Sequence, residues 1–390
     1  MSTVTAFQMA DILFTGAGAL AKLPESLTGN GVKKPLLVTD QGLVKAGLSQ
    51  KVQDVLTGAS IPFAVYDETV PNPTTGNVHA ALAIYRKEGC DSLIGLGGGS
   101  SMDTAKACGV LATSGGDDIL AYAGPGTLKA PLPCYIAIPT TAGTGSESTC
   151  IAVITNDTSE HHVKFGVADP RLLPKVAIID PLLMTGLPPF ITAATGMDAL
   201  THAVEAYISI GASEYTDALA IGAVKLIFKY LRRAVGNGND IEAREKMAYA
   251  QTMAGMAFSN GGLGIVHSLA HPLSAFYGIP HGDANALVLP YVLEFNKIVC
   301  REKLADVARA AGLTELGPYP EDTAVEAIKR LSADVRIAAS ITEAASRRGV
   351  TVDRADIPAL AKDAMGDPCT PTNPRVPTVV DIEGLYTRCW

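Results

Sequence analysis

DSLIGLGGGSSMDTAKACGVLAT, residues 91–113, passes from a short apolar run through three glycines into a helical pattern. An apolar strand that ends in glycines and opens a helix is the unit from which parallel sheets are built. Working outward, PLLVTD (35–40) and PFAVYD (62–67) are further strand candidates. A helical pattern follows the first, around Leu43 to Val55. NVHAALAIYRKEG (77–89) has apolar residues at helical spacing and stops at a glycine. PCYIAIPTT (133–141) and VAIIDP (176–181) add two more strands. This alternation predicts an α/β N-terminal domain around a mostly parallel sheet covered on both faces.

Past Pro188 the texture changes. ITAATGMDALTHAVEAYISI, SEYTDALAIGAVKLIFKYLRRAV and EAREKMAYAQTMAGMAFSN all read as helices, as do the later EDTAVEAIKRLSADVRIAASI and IPALAKDAM. The expectation is two domains, an α/β domain over 1–187 and an all-helical domain over 188–390, divided where GLPPF breaks the periodicity.

Bulk properties narrow the function. The chain has 390 residues, 47% of them hydrophobic, which suffices for a large core. The net charge is −8 and no long basic run occurs, a poor footprint for nucleic acid. No apolar window approaches the length of a membrane span, and MSTVTAFQMADILF lacks the basic start of a signal peptide. Seven cysteines without a CxxC pair argue for a reducing compartment. A cytoplasmic enzyme is the expectation, with no nucleic-acid or membrane partner.

Three features carry chemistry. The turn Gly97-Gly98-Gly99-Ser100-Ser101 lets backbone N–H groups approach an anion at a helix N-terminus; the same turn is also an ordinary tight connection. It is not the GxGxxG of the usual dinucleotide fingerprint. Asp40, at the end of a strand, suits a ribose diol and repels a 2′-phosphate, or it caps the helix that follows. A second loop, PTTAGTGSEST (139–149), offers Thr140, Thr141, Thr144 and Ser146 as a polar lining.

The third feature is a set of histidines. GMDALTHAVEAY (196–207) puts Asp198 and His202 four apart, on one helix face. GIVHSLAHPL repeats the spacing with His267 and His271, and His281 follows in a Pro-His-Gly loop. A lone helical histidine is more often a core residue, but two i, i+4 pairs plus a loop histidine form a donor set for Fe²⁺ or Zn²⁺. Pro272 should kink or end the helix after His271, turning that ring aside to relay a proton. His79, His161 and His162 lie in polar contexts and read as surface.

GGGSSMDTAKA, PTTAGTGSE, TAATGMDALTHAVEAY, GIVHSLAHPL, PHGDANALVLP and the NPR at 373–375 together resemble the iron-containing (group III) alcohol dehydrogenases, nearest to the lactaldehyde reductase and 1,3-propanediol dehydrogenase branches. The resemblance implies NAD as cofactor, Fe²⁺ with Zn²⁺ as a substitute, and an active site in a cleft between the two domains. It implies Asp198, His202, His267 and His281 as metal ligands and His271 as the non-ligand histidine nearby. For the cofactor it implies Asp40 on the adenosine ribose, Asn72 as a further contact, Gly98, Gly99 and Ser100 on the pyrophosphate, and Thr140, Thr141, Thr144 and Lys164 on the ribose and nicotinamide side. Ile151 stands where the lactaldehyde reductase branch has an asparagine, which implies a more apolar pocket, and Phe258 can wall it. The implied reaction is reversible hydride transfer between small primary alcohols or diols and their aldehydes, in a homo-oligomer, a dimer or larger. Two rivals are a metal-dependent lyase resembling dehydroquinate synthase and a non-catalytic metal- or nucleotide-binding protein. The lyase needs several basic pocket residues, and the motif segments hold almost none beyond Lys106 and Lys164.

Overall fold

The computed structural model describes residues 6–158, 163–315, 317 and 319–390. His161 and His162 lie outside them. Two compact units divide the described chain, one built from Gln8–Thr141 and Gly145–Thr185, the other from Gly186–Trp390 together with Ala142–Thr144 and residues 6–7.

The first unit contains strands β1 (Ile12–Thr15), β2 (Pro35–Val38), β3 (Ala64–Tyr66), β4 (Ser92–Gly97), β5 (Gly124–Pro125), β6 (Cys134–Pro139), β7 (Ile151–Thr155), β8 (Lys164–Ala168) and β9 (Val176–Ile179). Its helices are α1 (Leu23–Gly29), α2 (Gln41–Lys45), α3 (Leu48–Gly58), α4 (Thr75–Lys87) and α5 (Gly99–Ser114). Six strands form a sheet in the order β1-β9-β6-β4-β2-β3, and every neighbouring pair in it is parallel. β4 lies inside, paired to β2 and β6, and all six of its residues are buried. Successive residues alternate between two cores: Leu36, Val38 and Leu93 face one, Leu37, Ile94 and Leu96 the other.

The glycine of LIGLG is a packing device. A Cβ on Gly95 would sit 2.8 Å from the Tyr135 hydroxyl and 3.1 Å from the Met102 Cα, so a side chain there would push α5 off the sheet. Gly97 has φ 150°, and its Cβ would lie 2.6 Å from Ser101 Oγ.

Local readings need adjustment in this unit. The pattern around Leu43 to Val55 is two helices, because Gly47 takes φ 72° between them. β1 precedes what reads as the first clear strand, at the sheet edge, where short half-exposed strands leave little pattern. β7 and β8 form an antiparallel hairpin, joined by β5 into a separate three-stranded sheet. Lys106 holds the start of that hairpin: fully buried, its Nζ lies 2.7–3.2 Å from oxygens of Ser146, Thr149 and Ile151. Asp103 completes the clamp, accepting from Ser146 Oγ and the Val153 N–H.

The second unit is helical, with no strand among its described residues. Its helices are α6 (Pro189–Ile208), α7 (Glu214–Gly236), α8 (Ile241–Gly261), α9 (Ile265–Tyr277), α10 (His281–Asn296), α11 (Arg301–Ala310), α12 (Pro320–Asp334), α13 (Ile341–Ser346), α14 (Ile357–Gly366) and α15 (Val379–Cys389). α6 starts on Pro189, where a missing N–H costs nothing. It is then buried almost all round, as its composition of small and apolar residues allows. Of the two outcomes its sequence allows at Pro272, a kink or an end, α9 does not end there; it runs on to Tyr277 and stops at Gly278, φ 62°. Packing of Leu269, Leu273 and Tyr277, all buried, holds the turn that proline deprives of one hydrogen bond.

Candidate functional site

Four side chains of the helical unit converge. One donor atom each from Asp198, His202, His267 and His281 lies within 4.8 Å of the others. Asp198 and His202 share a face of α6, His267 comes from the first turn of α9, and His281 is the first residue of α10. Asp198 Oδ1 is 4.0 Å from His202 Nε2 and 3.8 Å from His281 Nε2. A cation bonding N and O donors at about 2.0–2.2 Å in tetrahedral geometry sets them about 3.3–3.6 Å apart, a small inward adjustment from these distances.

The chemistry of the donors fits a cation. Burial holds His202 and His267 down to about 4, so both rings are neutral at pH 7. His202 Nδ1 lies 3.3 Å from the Gly143 carbonyl and His267 Nδ1 is 2.5 Å from Glu205 Oε2, which leaves Nε2 of each ring for a metal. Gly143 reaches that position because it lacks a side chain; its Cβ would sit 2.5 Å from the Thr195 Cβ and 2.6 Å from the Thr195 carbonyl. Gln251 Oε1 accepts the Gly143 N–H at 2.7 Å and anchors the segment.

Glu205 does two jobs. Its Oε1 accepts the Val266 N–H at 2.7 Å, capping α9, while its Oε2 meets His267. Burial pushes its carboxyl up to about 8. Asn373 of the NPR motif accepts the Ile265 N–H at 3.3 Å and exchanges amide hydrogen bonds with Asn296, so this late motif is a clasp on α9 and α10. Glu205→Gln preserves shape and removes the carboxylate. Metal affinity is expected to fall about 10–100-fold, read by chelator competition.

His271 stands apart from the four donors. Its ring stacks on His281 with centroids 5.2 Å apart and planes 10° apart. Its Nδ1 is 2.7 Å from Asp367 Oδ2. Burial opposes ionisation of Asp367, but the His271 charge and hydrogen bond and the Cys369 N–H outweigh it and hold the carboxyl down to about 2. Phe258 stacks on His202 at 4.4 Å, walling one side of the cluster.

The α/β unit gathers the other residues named from sequence. Gly98 begins α5 without a side-chain cap, and Gly99 and Ser100 form the first turn, so backbone N–H groups there are available to an anion. A Cβ on Gly98 would lie 3.4 Å from Thr141 Oγ1, a buried hydroxyl with no hydrogen-bond partner. That orphaned hydroxyl against a bare backbone fits a polar ligand. Thr140 is buried and bonds its N–H to the Gly97 carbonyl. Asp40 does cap α2, its Oδ1 accepting the Leu43 N–H at 3.0 Å, while Oδ2 lies 3.4 Å from Ser101 Oγ. Asn72 adopts φ 55°, and Lys164 Nζ donates to its Oδ1 at 2.8 Å, pairing two residues 92 positions apart. Ile151 opens β7, half-buried, with its carbonyl on Lys106. Thr144 falls in the Ala142–Thr144 segment, which groups with the helical unit. His79 is exposed, with Nε2 2.6 Å from the Asp117 carbonyl.

Sequence reasoning passes over Glu205, Gly143, Gln251, Asn285 and Asp367. Glu205 had a signal, as a carboxylate three residues after His202 in an otherwise apolar helix. Asn285, four after His281, had one as well. Gln251 and Asp367 come from remote segments with no local pattern.

Known proteins are similar to this chain over nearly its whole length. The family model for iron-containing alcohol dehydrogenase matches residues 10–181, and that for the C-terminal part of the Fe-containing alcohol dehydrogenase family matches 192–390. The chain is similar to an NAD-dependent methanol dehydrogenase of Bacillus methanolicus, 45% identical over 370 residues, covering 94% of this chain and 95% of the relative. It is 44% identical over 379 residues to a lactaldehyde reductase of Escherichia coli K12, with 96% and 97% covered. A crystal structure of a 1,3-propanediol oxidoreductase superposes with TM-score 0.94 at 43% identity, over 100% of both chains. The chain belongs to the iron-containing alcohol dehydrogenase family.

Proposed function

We propose that this protein is a metal-dependent, NAD-linked alcohol dehydrogenase acting reversibly on small primary alcohols or diols and their aldehydes. The observation that carries the reading is the cluster of one carboxylate and three imidazoles, buried except for the half-buried His281. Asp198, His202, His267 and His281 would hold Fe²⁺, or Zn²⁺ in its place. When bound, the metal supplies Lewis acidity to the alcohol oxygen and NAD accepts the hydride. Residues 1–187 serve as the dinucleotide-binding domain and 188–390 as the metal-binding domain.

The protein's own groups do the rest. Asp40 accepts hydrogen bonds from the adenosine ribose and disfavours a 2′-phosphate. The N–H groups of Gly98, Gly99 and Ser100 take the pyrophosphate, with Thr140, Thr141, Thr144, Asn72 and Lys164 along the remaining cofactor surface. Phe258, stacked on His202, offers the substrate an apolar wall suited to short chains. His271 takes the alcohol proton on Nε2, its Nδ1 held by Asp367. His271→Ala is expected to keep its metal and to lose about 10²–10⁴ in turnover, together with the pH dependence of that turnover. Loss of metal in that variant would end the division between ligand and relay.

A panel of C1–C4 alcohols, diols and aldehydes with NAD(H) and NADP(H), run on metal-analysed protein, tests the whole reading. Metal-dependent NADH formation from primary alcohols is expected; a metal-loaded protein inert toward the entire panel would refute it. Lys106 argues against the lyase reading, since its ammonium is spent on the β7 hairpin and is not free for an anionic substrate. A cytoplasmic homo-oligomer, a dimer or larger, completes the proposal, with light scattering as the check on assembly. No helix of the described residues is long and apolar enough to cross a membrane.

A further inference from the structure

Asn285 sits on α10, one turn beyond His281, and is fully buried. Its Nδ2 is 2.7 Å from Asp198 Oδ1 and 3.1 Å from Nε2 of both His267 and His281. It therefore touches donor atoms from α6, α9 and its own helix. Its Oδ1 is buried with no hydrogen-bond partner. The reverse amide orientation would set that oxygen against a carboxylate oxygen, so the nitrogen end belongs toward Asp198. A buried amide with an unanswered carbonyl costs stability. The local return for that cost is the hydrogen bond to Asp198.

The torsion that turns a carboxylate about its Cβ–Cγ bond is broad and nearly two-fold. Packing alone leaves either oxygen of Asp198 able to face the imidazoles. Asn285 breaks that degeneracy, because its N–H holds Oδ1, the oxygen 3.8–4.0 Å from His281 and His202. The side chain also ties the first turn of α10, which begins with His281, to α6.

We infer that Asn285 is a positioning residue of the metal centre: it fixes the carboxylate oxygen that Asp198 offers to the cation and so sets how tightly and in what geometry the cation is held. The inference rests on the metal-centre reading above. A cation takes up the imidazole lone pairs, and the N–H to Asp198 is the bond that persists. The Asn285 N–H then belongs to the outer layer of the centre, as Gly143 and Glu205 do for the histidines.

The test uses the full-length protein with Asn285→Leu, which keeps volume and removes the donor, and Asn285→Ala. Fe²⁺, Zn²⁺ and Co²⁺ are titrated in competition with a chromophoric chelator, and the visible bands of the Co²⁺ form report coordination geometry. About 10–100-fold weaker metal binding in both variants, with altered Co²⁺ bands, is expected. Parent-like affinity and bands in the folded Leu variant would overturn the inference, including the case in which only the Ala variant weakens, since that would be a packing effect. His267→Ala is run alongside. If it keeps its metal, the centre itself has been misread; if it loses metal while Asn285→Leu does not, the role of Asn285 alone falls.

Discussion

His267→Ala is expected to leave the purified protein without its metal and to lower kcat/KM for alcohol oxidation by about 10³-fold or more. Several kcal/mol of transition-state stabilisation depend on the cation, and each 1.36 kcal/mol is tenfold in rate. His267 brings the α9 donor to the cluster, and its ring also stacks on His202 at 4.7 Å. Its removal takes the imidazole partner away from buried Glu205. NAD binding, read by fluorescence titration, should be unchanged, because the residues proposed to hold NAD, Asp40, Gly98 and Thr141 among them, belong to the other unit. Metal analysis and NADH absorbance are the two measurements. A variant that retains stoichiometric metal and normal turnover would remove the cluster from the chemistry.

The second large effect is expected from a single methyl group. Gly282→Ala places a Cβ 2.3 Å from the Ala194 carbonyl oxygen, 2.7 Å from its carbon and 3.3 Å from the Asp198 Cβ. The nearest two are backbone atoms of α6, which no rotamer change can move aside. α10 must therefore back away from α6, and His281, the preceding residue, goes with it. Overpacking of this kind costs about 1–3 kcal/mol. At roughly 2–4 °C per kcal/mol for a unit of this size, Tm falls by about 2–12 °C. Metal affinity should fall about tenfold or more, since His281 moves off the carboxylate it shares with the cation. Calorimetry and chelator competition on the variant measure the two effects together. Parent-like Tm and metal retention would mean that the α6–α10 approach is not what sets the site.

The α/β unit was readable because its strands announce themselves. β2, β4, β6 and β9 are short, fully or almost fully buried runs, and parallel pairing demands that both faces be apolar. β7 and β8 were not readable in the same way. They form a mixed sheet whose residues are only partly buried, and a buried lysine and aspartate hold them from another segment. The extent of α9 was also left open by its proline, which allowed either a kink or an end. Pro272 removes one backbone donor, and the surrounding helices, which local sequence does not represent, keep the turn intact. Asp40 shows a third situation: both readings of the residue are compatible, because one carboxylate oxygen caps α2 and the other lies toward Ser101.

Of the candidate site, the proposed metal donors were partly legible, because a four-residue spacing puts Asp198 and His202 on one helix face wherever the helix goes. Their outer layer was mostly not. Gly143 and Asp367 reach His202 and His271 from 59 and 96 positions away, and Gln251 holds Gly143 from 108 positions away. Nothing about a glycine or a glutamine in isolation marks it as a partner of an imidazole.

By itself, then, the sequence determined the alternation that builds the parallel sheet, the helical second half, and the residue types and spacings of the donors. These are local properties, written in periods of two and 3.6 residues. Only the tertiary structure decided which ring nitrogens are left for a metal, which oxygen of Asp198 faces them, and that His271 rests on Asp367. Those outcomes depend on hydrogen bonds between segments far apart in the chain, and such bonds exist only once the helices have packed.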